Sequence, residues 1–175
     1  YKTEIVVNGK RIRTREYLIW LGMTSRVLKR KEGAYTDCSI SENFLNFQYF
    51  AEWCQHQVGW FEDKWQLDKD WLVLGNREYH EDKCVFVPRV INMVLSNSHT
   101  NYGSGMVGAI WLEQNRKFMV ICSEYGKQKY HGSYTTAQEA HLVYCKVKNS
   151  YVKELAETYK GRIRDEVYNR LVNFC

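Results

Sequence analysis

The spacing of apolar side chains divides this chain into alternating and helical stretches. Glu4-Ile-Val-Val7 and Lys10-Arg-Ile-Arg-Thr-Arg15 flank Asn8-Gly9, a pair that tolerates the positive φ of a two-residue turn. The first fifteen residues are therefore predicted to form a β-hairpin with Arg11, Arg13 and Arg15 along one side, where they suit contact with a DNA phosphate backbone and, equally, a solvated edge strand protected by charge. From Glu16 to Lys31, Tyr17, Trp20, Leu21 and Val27-Leu28 recur at near-helical spacing and predict an amphipathic helix. Ser41 to Cys54 is the clearest helix of the first half. Its Phe44, Phe47, Phe50, Ala51 and Cys54 share one stripe, which reads as core rather than as a base-stacking surface.

Between Trp65 and Leu95 the pattern becomes strand, turn, strand, helix. In Trp65-Gln-Leu-Asp-Lys-Asp-Trp71, Asp68 and Asp70 sit between Leu67 and Trp71, which are expected to face a core. Gly75-Asn76 signals a tight turn, and Cys84-Val-Phe-Val87 reads as a buried strand. Pro88 ends that strand, and Arg89 to Leu95 is expected to be a short helix with Asn92 on one face. Two carboxylates and an amide around one turn suit Mg²⁺, which takes oxygen ligands. The same residues serve equally well as turn and strand-edge groups, so residue type alone leaves both roles open.

Ser96 to Gly105 is polar, carries two glycines and has no apolar period, which marks a linker. It divides the chain into expected domains at residues 1–97 and 98–175. Beyond it, residues 106–111, 117–122 and 127–134 read as three antiparallel strands with turns at Asn115 and Tyr125-Gly126. Thr136-Ala-Gln-Glu139 is a capping box, and the helix after it carries Ala140, Val143, Tyr144, Val147, Tyr151 and Leu155 along one side. Asp165 to Phe174 adds a short final helix. The expected class is α+β.

Charge and cysteine usage narrow the function classes. The net charge is +5; residues 1–97 contribute 14 basic against 13 acidic side chains, and residues 98–175 contribute 11 against 7. The excess therefore lies in the second part and favours a polyanionic partner. The six cysteines include no C-x-x-C pair, which disfavours a zinc knuckle and fits reduced thiols in a cytoplasmic protein. No apolar run approaches bilayer length, so a membrane partner is not expected.

The pattern W-x-L-D-K-D, G-N-x-x-Y, C-x-F-V-P and a downstream Asn resembles the divergent HNH (ββα-metal) homing-endonuclease-like proteins of bacteriophages. Trp20-x-x-Met23-x-x-Arg26 resembles a segment upstream of the nuclease hairpin in the same family. Residues 103–160, with G-x-x-W, R-K-F-x-x-x-I, H-G-S-Y and T-x-x-E-A-x-x-x-Y, resemble the ethylene-response-factor type DNA-binding domain found in phage homing endonucleases. The resemblance implies an N-terminal HNH-like domain and a C-terminal three-stranded sheet packed on a helix, acting on double-stranded DNA inside an infected bacterial cell. It implies homing or nicking activity through hydrolysis of a phosphodiester bond with Mg²⁺ or Mn²⁺. Asp68 takes the first acidic position, Asn76 the central Asn and Asn92 the helix residue, with Asp70 as a further metal ligand. Lys69 stands where the family has its general-base His, which leaves Lys69 as a phosphate clamp and His80 as a substitute base. Arg26 is expected to point at the cleft. Trp111, Arg116, Lys117, Lys127, Lys129 and His131 are the expected groove-reading side chains on the sheet's outer face. The alternative is a non-catalytic DNA-binding or host-protein-interacting chain on a degenerate nuclease scaffold.

Overall fold

The computed structural model describes residues 1–29, 35–96 and 105–174. They form two compact units, Tyr1–Val87 with Arg162–Arg164, and Pro88–Gly161 with Asp165–Cys175. The expected division after Asn97 and most of the expected linker lie outside the described residues. The contact boundary falls at Val87, ahead of the predicted helix rather than after it.

The first unit opens with strands β1 (Glu4–Val7) and β2 (Lys10–Arg13), paired antiparallel from Glu4↔Arg13 to Val7↔Lys10. Asn8 and Gly9 have φ of 50° and 76°, the positive values that a tight hairpin turn demands. Every strand residue of this ribbon is exposed, including Ile5, Val6, Val7 and Ile12. Its base is pinned by Thr14, whose backbone N donates to Thr3 O at 3.0 Å and whose Oγ1 donates to Lys2 O at 2.9 Å.

Helix α1 (Arg15–Thr24) continues into a π-helical turn at Ser25–Lys29. Arg30 and Lys31, the end of the expected helix, lie outside the described residues. The single helix expected over 41–54 is instead two, α2 (Glu42–Leu45) and α3 (Phe47–Gln55). Asn46 is the cause. Its backbone is extended, and its Oδ1 accepts from Gln48 N and Tyr49 N, so it caps α3 instead of continuing α2. The expected apolar stripe survives the break: Phe44, Phe50, Ala51 and Cys54 are fully buried. Phe44 packs edge-on against Phe50 and Trp53 at 5.0 and 4.8 Å, and Phe86 joins through Trp53 at 6.0 Å and carries the cluster on to Trp60 at 5.4 Å.

Four short strands complete this unit. β3 (Ser39–Ile40) pairs parallel with β5 (Glu78–Tyr79), while β4 (Gln66–Asp68) pairs antiparallel with β6 (Val85–Val87). Leu67 opposite Phe86 places the apolar side of β4 inward, as the alternation predicts. The partners of β4 and β6 are separated in sequence by a long loop containing β5, so Gly75-Asn76 is not the two-residue hairpin turn expected. Gly75 alone has positive φ, at 69°.

The second unit begins with α4 (Arg89–Ser96) and contains one sheet, β7 (Ala109–Leu112), β8 (Lys117–Glu124) and β9 (Lys127–Tyr134), in that order and antiparallel. Helix α5 (Ala137–Thr158) closes one face around Ala109, Val120 and Ala140, with Phe118, Tyr134, Val143 and Tyr144 packed against them. Thr136 and Glu139 form the predicted capping box, with Oγ1 accepting from Glu139 N and Oε2 accepting from Thr136 N at 3.2 and 3.3 Å. Gly108 permits the close approach to this helix: a Cβ there would stand 2.0 Å from the Tyr144 ring, at a φ of 79°. Helix α6 (Asp165–Val172) buries Val167 and Leu171 and follows the helix dipole, acidic at its start and basic at its end. No helix among the described residues is long and apolar enough to cross a membrane.

Candidate functional site

The loop from Lys69 to Cys84 gathers most of the chemistry read from the sequence. Asp68 ends β4, and its Oδ1 accepts the backbone N–H groups of Asp70 and Trp71 at 2.7 and 3.0 Å. That side-chain turn redirects the chain out of the strand. Burial pushes the Asp68 carboxyl above its ordinary value, the neighbouring Asp70 charge adds to this, and the two amide bonds only partly offset it.

Lys69 turns inward. Only 7% exposed, its ammonium donates to both Asp70 carboxylate oxygens at 2.8 and 3.0 Å and to Asn76 O at 2.6 Å. Three acceptors match the three N–H donors of the ammonium, so the expected phosphate clamp is an internal strut. Asn76, 8% exposed, completes the brace from the other side. Its Nδ2 donates to Lys69 O at 2.8 Å and to Glu78 O at 2.6 Å, and its Oδ1 accepts from Glu78 N at 3.1 Å. The side chain read as a turn former therefore holds the loop shut across its width.

His80 follows β5 in a turn of its own. Its carbonyl accepts from Lys83 N and Cys84 N, both at 3.0 Å, and its Nδ1 accepts from Asp82 N at 3.1 Å. A neutral imidazole has one lone pair to give, and here the backbone takes it. Glu81 beside it is fixed by Asn43 Nδ2 at 2.5 Å and Ser41 Oγ at 2.9 Å; burial pushes its carboxyl up, but these bonds outweigh that and hold it below the ordinary value.

Arg26 lies on the π-helical turn with its guanidinium carbon 5.7 Å from the ring centres of both Tyr35 and Tyr79. Its Nε is buried, with no hydrogen-bond partner among the described residues. Burial raises the Tyr79 hydroxyl well above its ordinary value; the Arg26 charge opposes this and the Asp68 charge adds to it. Burial, with Asp68 contributing, also pushes the Cys84 thiol up to about 12. The sequence reading did not assign Tyr79 or Tyr35 a role; the signal available was an aromatic residue next to each turn.

Of the other expected contacts, Arg11 and Arg13 lie exposed on β2 beside Val6 and Glu4 of β1. Arg15 is spent on structure, donating to Trp60 O and to Glu62 O (3.0 Å for the latter) while stacking 4.5 Å above the Trp60 ring. Asn92 is half-buried on α4, in the second unit, whereas Asp68, Asp70 and Asn76 belong to the first.

The sheet register corrects the expected reading face. Lys129 pairs with buried Cys122, Lys127 with Glu124, and Trp111 with Phe118, so these side chains fall on the helix-facing side of the sheet. Glu124 accepts from Lys129 Nζ at 2.8 Å and lies 2.9 Å from His131 Nε2; the Lys129 bond and then the His131 contact hold its carboxyl below the ordinary value. Lys117 alternates to the outer face along with Met119 and Ile121, opposite Ile110, Ser133 and Tyr130, and Arg116 sits in the turn with a φ of 49°. With Ser123 and Gln128 on the same side, the outer face mixes apolar and polar side chains.

The donors named for a divalent cation do not fit one as they stand. Both Asp70 oxygens face the Lys69 ammonium, Asn76 Oδ1 accepts a backbone N–H, and Asp68 commits Oδ1 to two amides. Among the described residues no group of three or more His, Cys, Asp or Glu side chains is placed to hold a metal ion. Compared with known proteins, the chain matches no family model, no curated protein and no solved structure.

Proposed function

We propose that this chain is a double-stranded-DNA-binding protein on an HNH-endonuclease-like frame, with DNA contact rather than phosphodiester hydrolysis as its activity. The observation that carries this reading is the β1–β2 ribbon, exposed on both faces, with Arg11 and Arg13 side by side on one of them. A two-stranded ribbon fits the major groove of B-DNA, and paired arginines suit phosphate and guanine edges. The net charge of +5 favours the same class of partner. Hydrolysis is the weaker reading because Lys69 and Asn76 are consumed in bracing the loop and the His80 lone pair is engaged.

One observation favours the endonuclease. Among the described residues the buried Nε of Arg26 has no hydrogen-bond partner, which leaves a cationic donor for an anion such as a phosphate. Binding to duplex DNA measured across a salt series tests the main reading. The R11A/R13A double variant is expected to weaken binding and to lower the slope of log K against log salt by about 2. Binding indifferent to salt and to both arginines overturns it.

A further inference from the structure

One buried cation of the second unit has no counter-charge. Lys148 of α5 is 4% exposed, and its ammonium has no hydrogen-bond or ion-pair partner among the described residues. Lys69, buried to a similar degree, meets three acceptors. Burial holds the Lys148 amine below the ordinary lysine value, opposed by the Cys122 thiol on β8. That thiol is itself pushed up by burial, so it supplies no anion near neutral pH.

Lys148 lies between two hollows of this unit. On one side is a gap of about 10 Å³, room for one water at most, shared with Ser123, Gly126 and Tyr151. On the other is a cavity of about 410 Å³, walled by Val107, Tyr144 and Phe174 and completed by His141, Cys145 and Asn149. His141 is a wall rather than a counter-charge. Its Nδ1 lies 2.8 Å from Val107 O, and a carbonyl only accepts, so Nδ1 donates; Cys145 Sγ stands 3.6 and 3.9 Å from the two ring nitrogens, over the face of the imidazole. Among the described residues no carboxylate lines either hollow. Apolar walls of this extent around a single charged side chain have the make-up of a small-molecule site.

We propose that this cavity binds a small amphipathic monocarboxylate, its head paired with the Lys148 ammonium and its apolar body against Val107, Tyr144 and Phe174. A buried ammonium without acceptors is unfavourable, and a carboxylate supplies them as charge-assisted bonds. A neutral chain of the same length leaves the ammonium unpaired, and a dianion brings a second charge that one lysine does not match. The site does not depend on the DNA reading, since none of its residues belongs to the β1–β2 ribbon.

Equilibrium dialysis of the whole protein against octanoate and against octanol tests the site. Octanoate is expected to bind once per chain and at least about tenfold tighter than octanol, the difference being the charge-assisted pair. K148M, which replaces the ammonium by an apolar side chain, is expected to weaken octanoate at least about tenfold and to leave octanol unchanged. Cys145 reports on the cavity in the parent chain and decides the matter if K148M fails to fold. Saturating octanoate is expected to slow its alkylation by iodoacetamide, with Cys38, which does not line the cavity, unaffected. Octanoate bound no tighter than octanol, binding unmoved in K148M, or alkylation of Cys145 indifferent to octanoate overturns the proposal.

Discussion

Single residues in the loop from Lys69 to Cys84 decide what its chemistry can be. Asn76 makes three hydrogen bonds from a buried position, so Asn76→Ala leaves the Lys69 and Glu78 carbonyls and the Glu78 N–H without that partner. Its expected cost is about 2–4 kcal/mol, read as a lower urea midpoint at unchanged slope, since buried groups left unpaired carry their full desolvation penalty. A loss below 0.5 kcal/mol, roughly the effect of a surface substitution, contradicts the bracing role. Asp68 makes the complementary prediction. Because burial raises its carboxyl in the folded chain, the folded state holds the proton to higher pH than the unfolded one. Stability is therefore favoured below the ordinary carboxyl range and declines as pH rises through the raised value. Asp68→Asn keeps an oxygen for the Asp70 and Trp71 amides but cannot ionise. Its urea midpoints are expected to decline less than those of the parent chain between about pH 4 and pH 7, and parallel profiles would refute the sign.

At the scale of elements, short-range rules explain what each segment becomes, and contact rules explain where it goes. The Asn8-Gly9 turn and the Thr136–Glu139 box are local devices whose partners lie within three residues, and both appear as predicted. The helix over 41–54 breaks because Asn46 can satisfy two amides of α3 from outside the helix, a competition that periodicity alone does not weigh. The packing of α5 on the sheet depends on Gly108. Gly108→Ala places a methyl group into the Tyr144 ring at a positive φ, with an expected loss of about 2–4 kcal/mol. Gly126→Ala, also at positive φ but with nothing within 4 Å of the added carbon, is expected to cost less than Gly108→Ala. Equal losses in thermal unfolding would mean that φ strain, not the Tyr144 contact, sets the penalty.

For the whole molecule, the proposed activity is contact with duplex DNA without hydrolysis. Purified protein incubated with long duplex DNA and Mg²⁺ or Mn²⁺ is expected to leave the DNA intact while shifting it in a binding assay. Metal-dependent cutting that disappears in Asp68→Ala would reverse the preference between the two readings, because it would require a cation to displace the bonds now made by the loop. Salt sensitivity separates DNA contact from incidental association, since the surplus of positive charge acts through released counterions.

What the sequence determined alone is the α+β class and those elements that rest on near neighbours: the NG hairpin, an aromatic helical core, the three strands of the second unit and the capped helix, but not the break at Asn46 or the short strands β3 and β5. Tertiary structure decided the rest. Lys69 was expected as a phosphate clamp, but Asp70 and the distant carbonyl of Asn76 supply its acceptors and hold it inside the loop. Lys129 and His131 looked like groove readers until strand register set them beside Glu124. Lys148 sits on a face that periodicity marks as partly apolar, yet it is buried. For Lys69, Lys129 and His131 a deciding partner comes from another turn or strand, and a single chain's residue pattern does not encode which one each will meet.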